Sequence, residues 1–240
     1  MLSSKTALIF GLNKYAFEII NNVKDRYQNI QIFSLDKEDL DNSEYDVSYF
    51  DISDNWKGVE ADFDMQNSIA FCVLEDTAQN IFLTISLRSN FKDLTIIAIA
   101  SNKESANKLS MAGANKVIPL VETTSDIITA MLEKPISNKV LHNILYEKSD
   151  LKIAQIKIDE KSHFNGEELC SIDWTRYNGI IVLSVMHEDM SSEFIYSSKI
   201  KDHIIKSGDI LVVVGYEEDI KEFENKIGSK RYVNWSNWSW

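Results

Sequence analysis

This sequence is poor in proline, cysteine and basic residues, and it has no long apolar run. Its two prolines, Pro119 and Pro135, are the only strong backbone breakers, so each is read as a boundary. Cys72 and Cys170 form no C-x-x-C pair. His142, His163, His187 and His203 are scattered without an H-E-x-x-H or zinc spacing. That leaves no transition-metal motif, and both thiols are expected to be reduced and buried, Cys72 in a strand and Cys170 in a helix. The longest apolar runs, residues 180–185 and 210–214, are far shorter than the roughly 20 residues that cross a bilayer. No basic stretch followed by an apolar one opens the chain, so a cytoplasmic location is expected. Twenty-five basic residues face 37 acidic ones, a formal charge of −12. The mean field of such a chain repels nucleic acid, which is set aside as a partner.

What is present is a soluble-protein composition over 240 residues, enough for a Rossmann-sized unit of about 130–150 residues and a smaller one. Residues 6–10 form a short apolar strand that runs into Gly11-Leu12-Asn13-Lys14-Tyr15-Ala16. This is a G-x-G-x-x-G turn that keeps only its first glycine, with Asn13 in the second place and Ala16 in the third. Further strands are expected at residues 30–35, 47–50, 68–74, 94–100 and 116–118. Between them Ala16, Ile20, Val23 and Tyr27 fall on one helical stripe. Ala78, Phe82 and Ile85 form another, and Ala106, Leu109 and Ala112 a third, stopped by Gly113. Strands alternating with helices predict an α/β, Rossmann-like, doubly wound parallel sheet over residues 1–120, with its ligand crevice beyond the carboxyl ends of the strands.

After Pro119 a long helical stretch is expected over residues 123–147, with Thr123, Thr124 or Ser125 as N-cap and Pro135 dividing it. Ile127, Ile128, Met131 and Leu132 form an apolar stripe ahead of the proline; Ile136, Val140, Leu141, Ile144 and Leu145 form one behind it. Both stripes need cover, either the domain's own sheet or an antiparallel partner. Residues 121–149 are therefore a helix-turn-helix dimerisation segment in this reading. Residues 150–228 read as a smaller α+β domain with mostly antiparallel strands at 151–158, 179–187, 193–196 and 210–215. Short helices are expected at 166–174 and 217–227. The tail, residues 229–240, carries Trp235, Trp238 and Trp240, too apolar for an ordinary solvated terminus.

Several phrases in order resemble the RCK domain, the regulator of potassium conductance, built as a TrkA-N plus TrkA-C pair. Leu35-Asp36 and Phe50-Asp51 match the acids that end its second and third strands. Leu74-Glu75-Asp76 through Asn80 matches its acidic turn after the fourth. Leu109-Ser-Met-Ala-Gly-Ala-Asn-Lys-Val-Ile-Pro119 is similar to its most characteristic phrase. Phe164-Asn-Gly-Glu-Glu-Leu, Tyr177-Asn-Gly-Ile-Ile-Val-Leu and the run from Ile205 to Gly215 look like TrkA-C. The resemblance implies a cytoplasmic regulatory module that forms homodimers and then an octameric gating ring. The ring senses a ligand and works a membrane potassium pore, of a channel or of a Trk/Ktr-type transporter, from the inner face of the membrane. It also implies a dimer contact at the helix-turn-helix around Pro135, where the two apolar stripes give Ile127, Met131, Ile136, Val140 and Ile144 as the expected contact residues.

In nucleotide-binding members of the family the Gly11–Lys14 turn would face phosphate, Asp36 would accept from ribose hydroxyls and Asp51 would lie near the adenine. Gly11, Asn13, Lys14, Asp36, Asp51, Glu75 and Asp76 are the expected ligand-binding set. An adenine nucleotide, NAD or a divalent cation are the candidate ligands. Asn13 places a side chain where a pyrophosphate needs room, and Ile99 stands where many members carry a phosphate-binding arginine. Asp76 matches one calcium ligand of the calcium-gated members, while Ile99 and Ser101 stand at the others. An NAD-dependent dehydrogenase is the rival reading; no general acid or base in a tuned setting accompanies the sheet. No catalytic residue is assigned. A third reading is a scaffold of the same fold that has lost its ligand.

Overall fold

The computed structural model describes residues 5–42, 45–53, 56, 63–146, 150–187, 191–195 and 204–232. The expected tail tryptophans and the linker around Lys148 lie outside these. The chain divides into two compact units, with the division between Thr129 and Ala130.

In the first unit β1 (Thr6–Phe10), β2 (Asn29–Ser34), β3 (Val47–Tyr49), β4 (Ser68–Cys72), β5 (Thr95–Ala100) and β6 (Lys116–Pro119) form one sheet in the order β3-β2-β1-β4-β5-β6. Every pairing is parallel. The strand order reverses between β1 and β4, the topological switch point of a doubly wound sheet. Alternate residues of β1 feed opposite faces: Leu8 and Phe10 join Leu83, Leu87 and Leu109, whereas Ala7 and Ile9 join Ala16 and Ile20. The helices α1 (Lys14–Val23), α2 (Glu38–Asn42), α3 (Thr77–Asn90) and α4 (Lys103–Met111) connect the strands. Burial on both faces explains why these strands read as continuous apolar runs. Phe10 stacks on Phe33 with ring centroids 4.7 Å apart.

Helix α5 begins at Leu120, directly after β6, and runs to Glu133; α6 spans Pro135–Tyr146. The expected N-cap at Thr123–Ser125 is therefore corrected. Thr124 lies within the helix, and its hydroxyl donates back to the Leu120 carbonyl at 2.7 Å. Pro119 is tolerated at the end of β6 because β6 is an edge strand, where a missing N–H breaks no ladder. Pro135 occupies the first position of α6, where its lost donor is not needed.

In the second unit β7 (Leu151–Lys157), β8 (Ile180–Met186), β9 (Ser192–Phe194), β10 (Ile210–Tyr216) and β11 (Lys230–Arg231) form an antiparallel sheet in the order β11-β7-β10-β8-β9. Helix α7 (Glu217–Ile227) buries Ile220, Phe223 and Ile227 against it. The helix expected over residues 166–174 is absent. Gly166 N donates to Ile205 O at 2.8 Å and Ile205 N to Glu167 O at 2.9 Å, so these backbone groups are committed to a distant segment. Only a 3-10 turn, Trp174–Arg176, forms there. Cys170, expected to be buried, is exposed in consequence, while Cys72 is buried in β4.

Candidate ligand site at the carboxyl edge of the parallel sheet

The turn after β1 brings three strands together. Gly11 adopts φ +118°, and a Cβ there would lie 3.2 Å from the carbonyl carbon and oxygen of Val73. Its amide donates to Phe33 O at 2.8 Å. Left-handed backbone and close approach both demand glycine here. Asn13 then caps α1: its Oδ1 accepts from Tyr15 N at 3.0 Å and Ala16 N at 3.2 Å. Its Nδ2 donates to Val73 O at 2.7 Å. The side chain that replaces the second glycine thus binds the helix terminus to β4.

Asp36, Asp51, Glu75 and Asp76 all follow the carboxyl ends of β2, β3 and β4, and all are exposed. Three of them serve the turn they sit in. Asp36 Oδ1 accepts from Glu38 N at 2.9 Å, and Asp76 caps α3 by accepting from Gln79 N at 2.8 Å. Asp51 Oδ1 accepts from the Ser53 hydroxyl at 2.7 Å and its amide at 2.8 Å, which holds the Asp51 carboxyl below its ordinary range. Among the described residues no three His, Cys, Asp or Glu side chains converge to hold a metal ion.

A cleft of about 320 Å³ opens between the start of α1, the β4–α3 turn and the end of β5. Of the expected ligand set, Lys14 and Glu75 line it. Gly11, Asn13, Asp36, Asp51 and Asp76 are not among its lining residues. Leu74, Ile99, Leu109 and Leu120 supply apolar walls, and Thr77 and Ser101 bring hydroxyls whose oxygens lie 3.4 Å apart. Ser101 Oγ in turn lies 3.3 Å from Ser105 Oγ.

Asn80 stands at the base of the cleft and is buried. Its Nδ2 donates to Cys72 O at 3.1 Å and Ile99 O at 3.0 Å, and its Oδ1 accepts from Leu74 N at 3.3 Å. It fastens the ends of β4 and β5, a role the sequence signalled only as the asparagine closing the acidic phrase. Glu122, on α5, was not anticipated: its Oε1 accepts from Lys103 N at the start of α4, at 2.9 Å. Nothing in the local sequence announces that contact.

The helix pair after the sheet is apolar and uncovered. None of the residues of α5 is buried, and Leu132 and Ile136 are 79% and 81% exposed. Ile127, Met131 and Val140 are exposed as well, and Ile144 is partly buried.

Two family models match in the order of the two units: the TrkA-N domain over residues 7–120 and the TrkA-C domain over residues 153–228. The chain belongs to the TrkA-N plus TrkA-C family, the RCK domains. This RCK chain is 26% identical over 164 residues to "Probable potassium channel protein 2" of Methanocaldococcus jannaschii, 66% of this chain and 46% of that protein. It is 23% identical over 162 residues to "Potassium channel protein 1" of the same organism, 67% of this chain and 45% of that protein. The chain thus spans about half the length of the curated relatives it matches. In fold it is similar to the human SLO3 gating ring, with TM-score 0.60 at 10% identity, over 91% of this chain and 45% of that one.

Proposed function

We propose that this RCK chain is a ligand-sensing gating-ring domain that controls a potassium channel from the cytoplasmic face of the membrane. The observation that carries the reading is the ordered TrkA-N and TrkA-C match, together with the similarity to relatives named as potassium channel proteins. Among the described residues no helix is long and apolar enough to cross a membrane. The pore is thus a partner of the described part, whether carried on the same polypeptide or on another. A regulatory subunit of a Trk/Ktr-type transporter would use the same two domains, and the pore that responds separates the two readings.

The uncovered stripes of α5 and α6 support a homodimer built on Ile127, Met131, Ile136, Val140 and Ile144. A second apolar surface supports further assembly toward an octameric ring: Ile85 on α3 and Met111 on α4 are exposed at a shallow hollow, and Phe82 on α3 is exposed as well. The ligand enters the cleft beside Lys14 and Glu75. The chain turns over no substrate; its work is movement, and the free energy of that movement is bounded by the ligand's differential affinity for the two states.

The test is potassium flux in liposomes containing the pore with and without this chain. Flux should become ligand-dependent only when the chain is present. Flux indifferent to both ligand and chain would overturn the gating reading. Nicotinamide absorbance changes with a substrate would favour the dehydrogenase instead.

A further inference from the structure

The antiparallel sheet of the second unit has one face covered by α7 and one that is apolar and open. Ala154 of β7, Val213 of β10 and Val182 of β8 are buried in the core with α7, so their neighbours Ile153, Val214 and Ile181 lie on the opposite face. These three form one row across three strands, because Val214 pairs with Ile153 on one side and with Ile181 on the other. Tyr216, opposite Leu151, follows in the next row of that face. Ile181 and Tyr216 are each 56% exposed, and Ile153 is exposed beside them. Contiguous apolar surface of this kind marks a contact.

The edge strand β11 carries the chain to this patch. It runs antiparallel to β7, from Lys157 toward Leu151, the end at which the row lies. Arg231 is held from the helix side by Glu217 at 3.1 Å and Glu224 at 3.0 Å. Tyr232 continues the ladder, its amide donating to Gln155 O at 2.7 Å, and Lys157 Nζ stands 5.8 Å from its ring centroid. Lys157 shares the face of Ile153 by alternation along β7, so the Tyr232 ring lies on that face too. Residues 233–240, outside the described ones, follow at once and hold three of the chain's five tryptophans, Trp235, Trp238 and Trp240. Extended, they reach about 26 Å, whereas the three strand spacings from β11 to β8 come to about 14 Å. A segment tethered this closely acts at an effective concentration on the order of millimolar, far above a second copy at roughly micromolar concentration. The formal charge of −12 disfavours an anionic bilayer in the same place. We infer that residues 233–240 fold back over the open face of the second sheet and seat their tryptophans on Ile153, Val214, Ile181 and Tyr216.

The experiment is hydroxyl-radical footprinting of the full chain, read by mass spectrometry against the free peptide of residues 233–240. Trp235, Trp238 and Trp240 should be oxidised severalfold more slowly in the chain than in the peptide, whatever the protein concentration. Ile181→Asp places a charge in the proposed contact at a position exposed in the described chain, and should return the three tryptophans to the peptide's rate. A chain ending at Tyr232 should have Tyr216 oxidised severalfold faster than the full chain does, which keeps the test decisive if Ile181→Asp folds poorly. Peptide-like rates in the unaltered chain overturn the inference, as does an unchanged Tyr216 in the shortened one. Protection that fades on dilution gives the face to a second copy instead. Protection that appears only with phosphatidylcholine–phosphatidylglycerol vesicles gives the tryptophans to a membrane. Either of these outcomes also overturns it.

Discussion

The Arg88 side chain lies where a Cβ on Gly113 would have to be. That Cβ would come within 2.5 Å of Arg88 Cγ, and the Arg88 Nε donates to Gly113 O at 2.9 Å. Arg88 also reaches Phe91 O at 3.1 Å and Asn115 Oδ1, so one guanidinium ties the end of α3 to the α4–β6 turn. Gly113 itself has φ +102°. Gly113→Ala should therefore lower unfolding stability by about 1–3 kcal/mol, through backbone strain and displacement of Arg88. Denaturant unfolding would show a lower midpoint at unchanged slope. An unchanged midpoint would mean that the turn relaxes freely.

The dimer proposal predicts that Met131→Asp with Val140→Asp gives a folded monomer. Charge placed in an apolar contact is costly to desolvate, whereas both positions are exposed in the single chain and should tolerate aspartate there. Light scattering reads the mass directly, and a dimer persisting in the double variant would place the contact elsewhere.

Ring assembly should depend on a different surface. Phe82→Lys and Met111→Lys should leave the dimer intact and abolish larger species in sedimentation velocity. Met111 is 81% exposed and Phe82 54%, so neither change disturbs the core. Loss of the dimer in these variants would contradict the separation of the two contacts.

The two cysteines should behave oppositely. Exposed Cys170 should react with a thiol reagent in the native state, and buried Cys72 only after unfolding. Burial pushes the Cys72 thiol up from 9.0 to about 12. The folded state therefore holds this proton more tightly than the unfolded chain does. Its contribution to stability is complete below the unfolded value and is lost as pH rises through the window between the two. Cys72→Ala should lack this part of the alkaline destabilisation, whose slope approaches about 1.4 kcal/mol per pH unit. Identical pH profiles for the two proteins would refute it.

Much of the first unit was legible from local pattern. Apolar runs of strand length alternating with helical stripes require a sheet covered on both faces, and Gly11 and Gly113 mark left-handed turns that other residues resist. Pro135 ends one helix and begins the next for a reason internal to its own ring. What local pattern could not carry was any backbone group whose partner lies far along the chain. Residues 166–174 have a helical composition, yet Gly166 and Glu167 pair with Ile205. Cys170 became exposed with them. The same holds at the carboxyl edge. The sequence by itself placed Asn13, Asp36, Asp51 and Asp76 at strand ends, because each follows an apolar run. Only the tertiary structure decided that three of these caps, with Glu122 reaching from α5, consume helix amides while the open cleft lies beside Lys14, Thr77 and Ser101. A side chain's residue type limits which hydrogen bonds it can make, but which group it meets depends on elements that come together only when the chain folds.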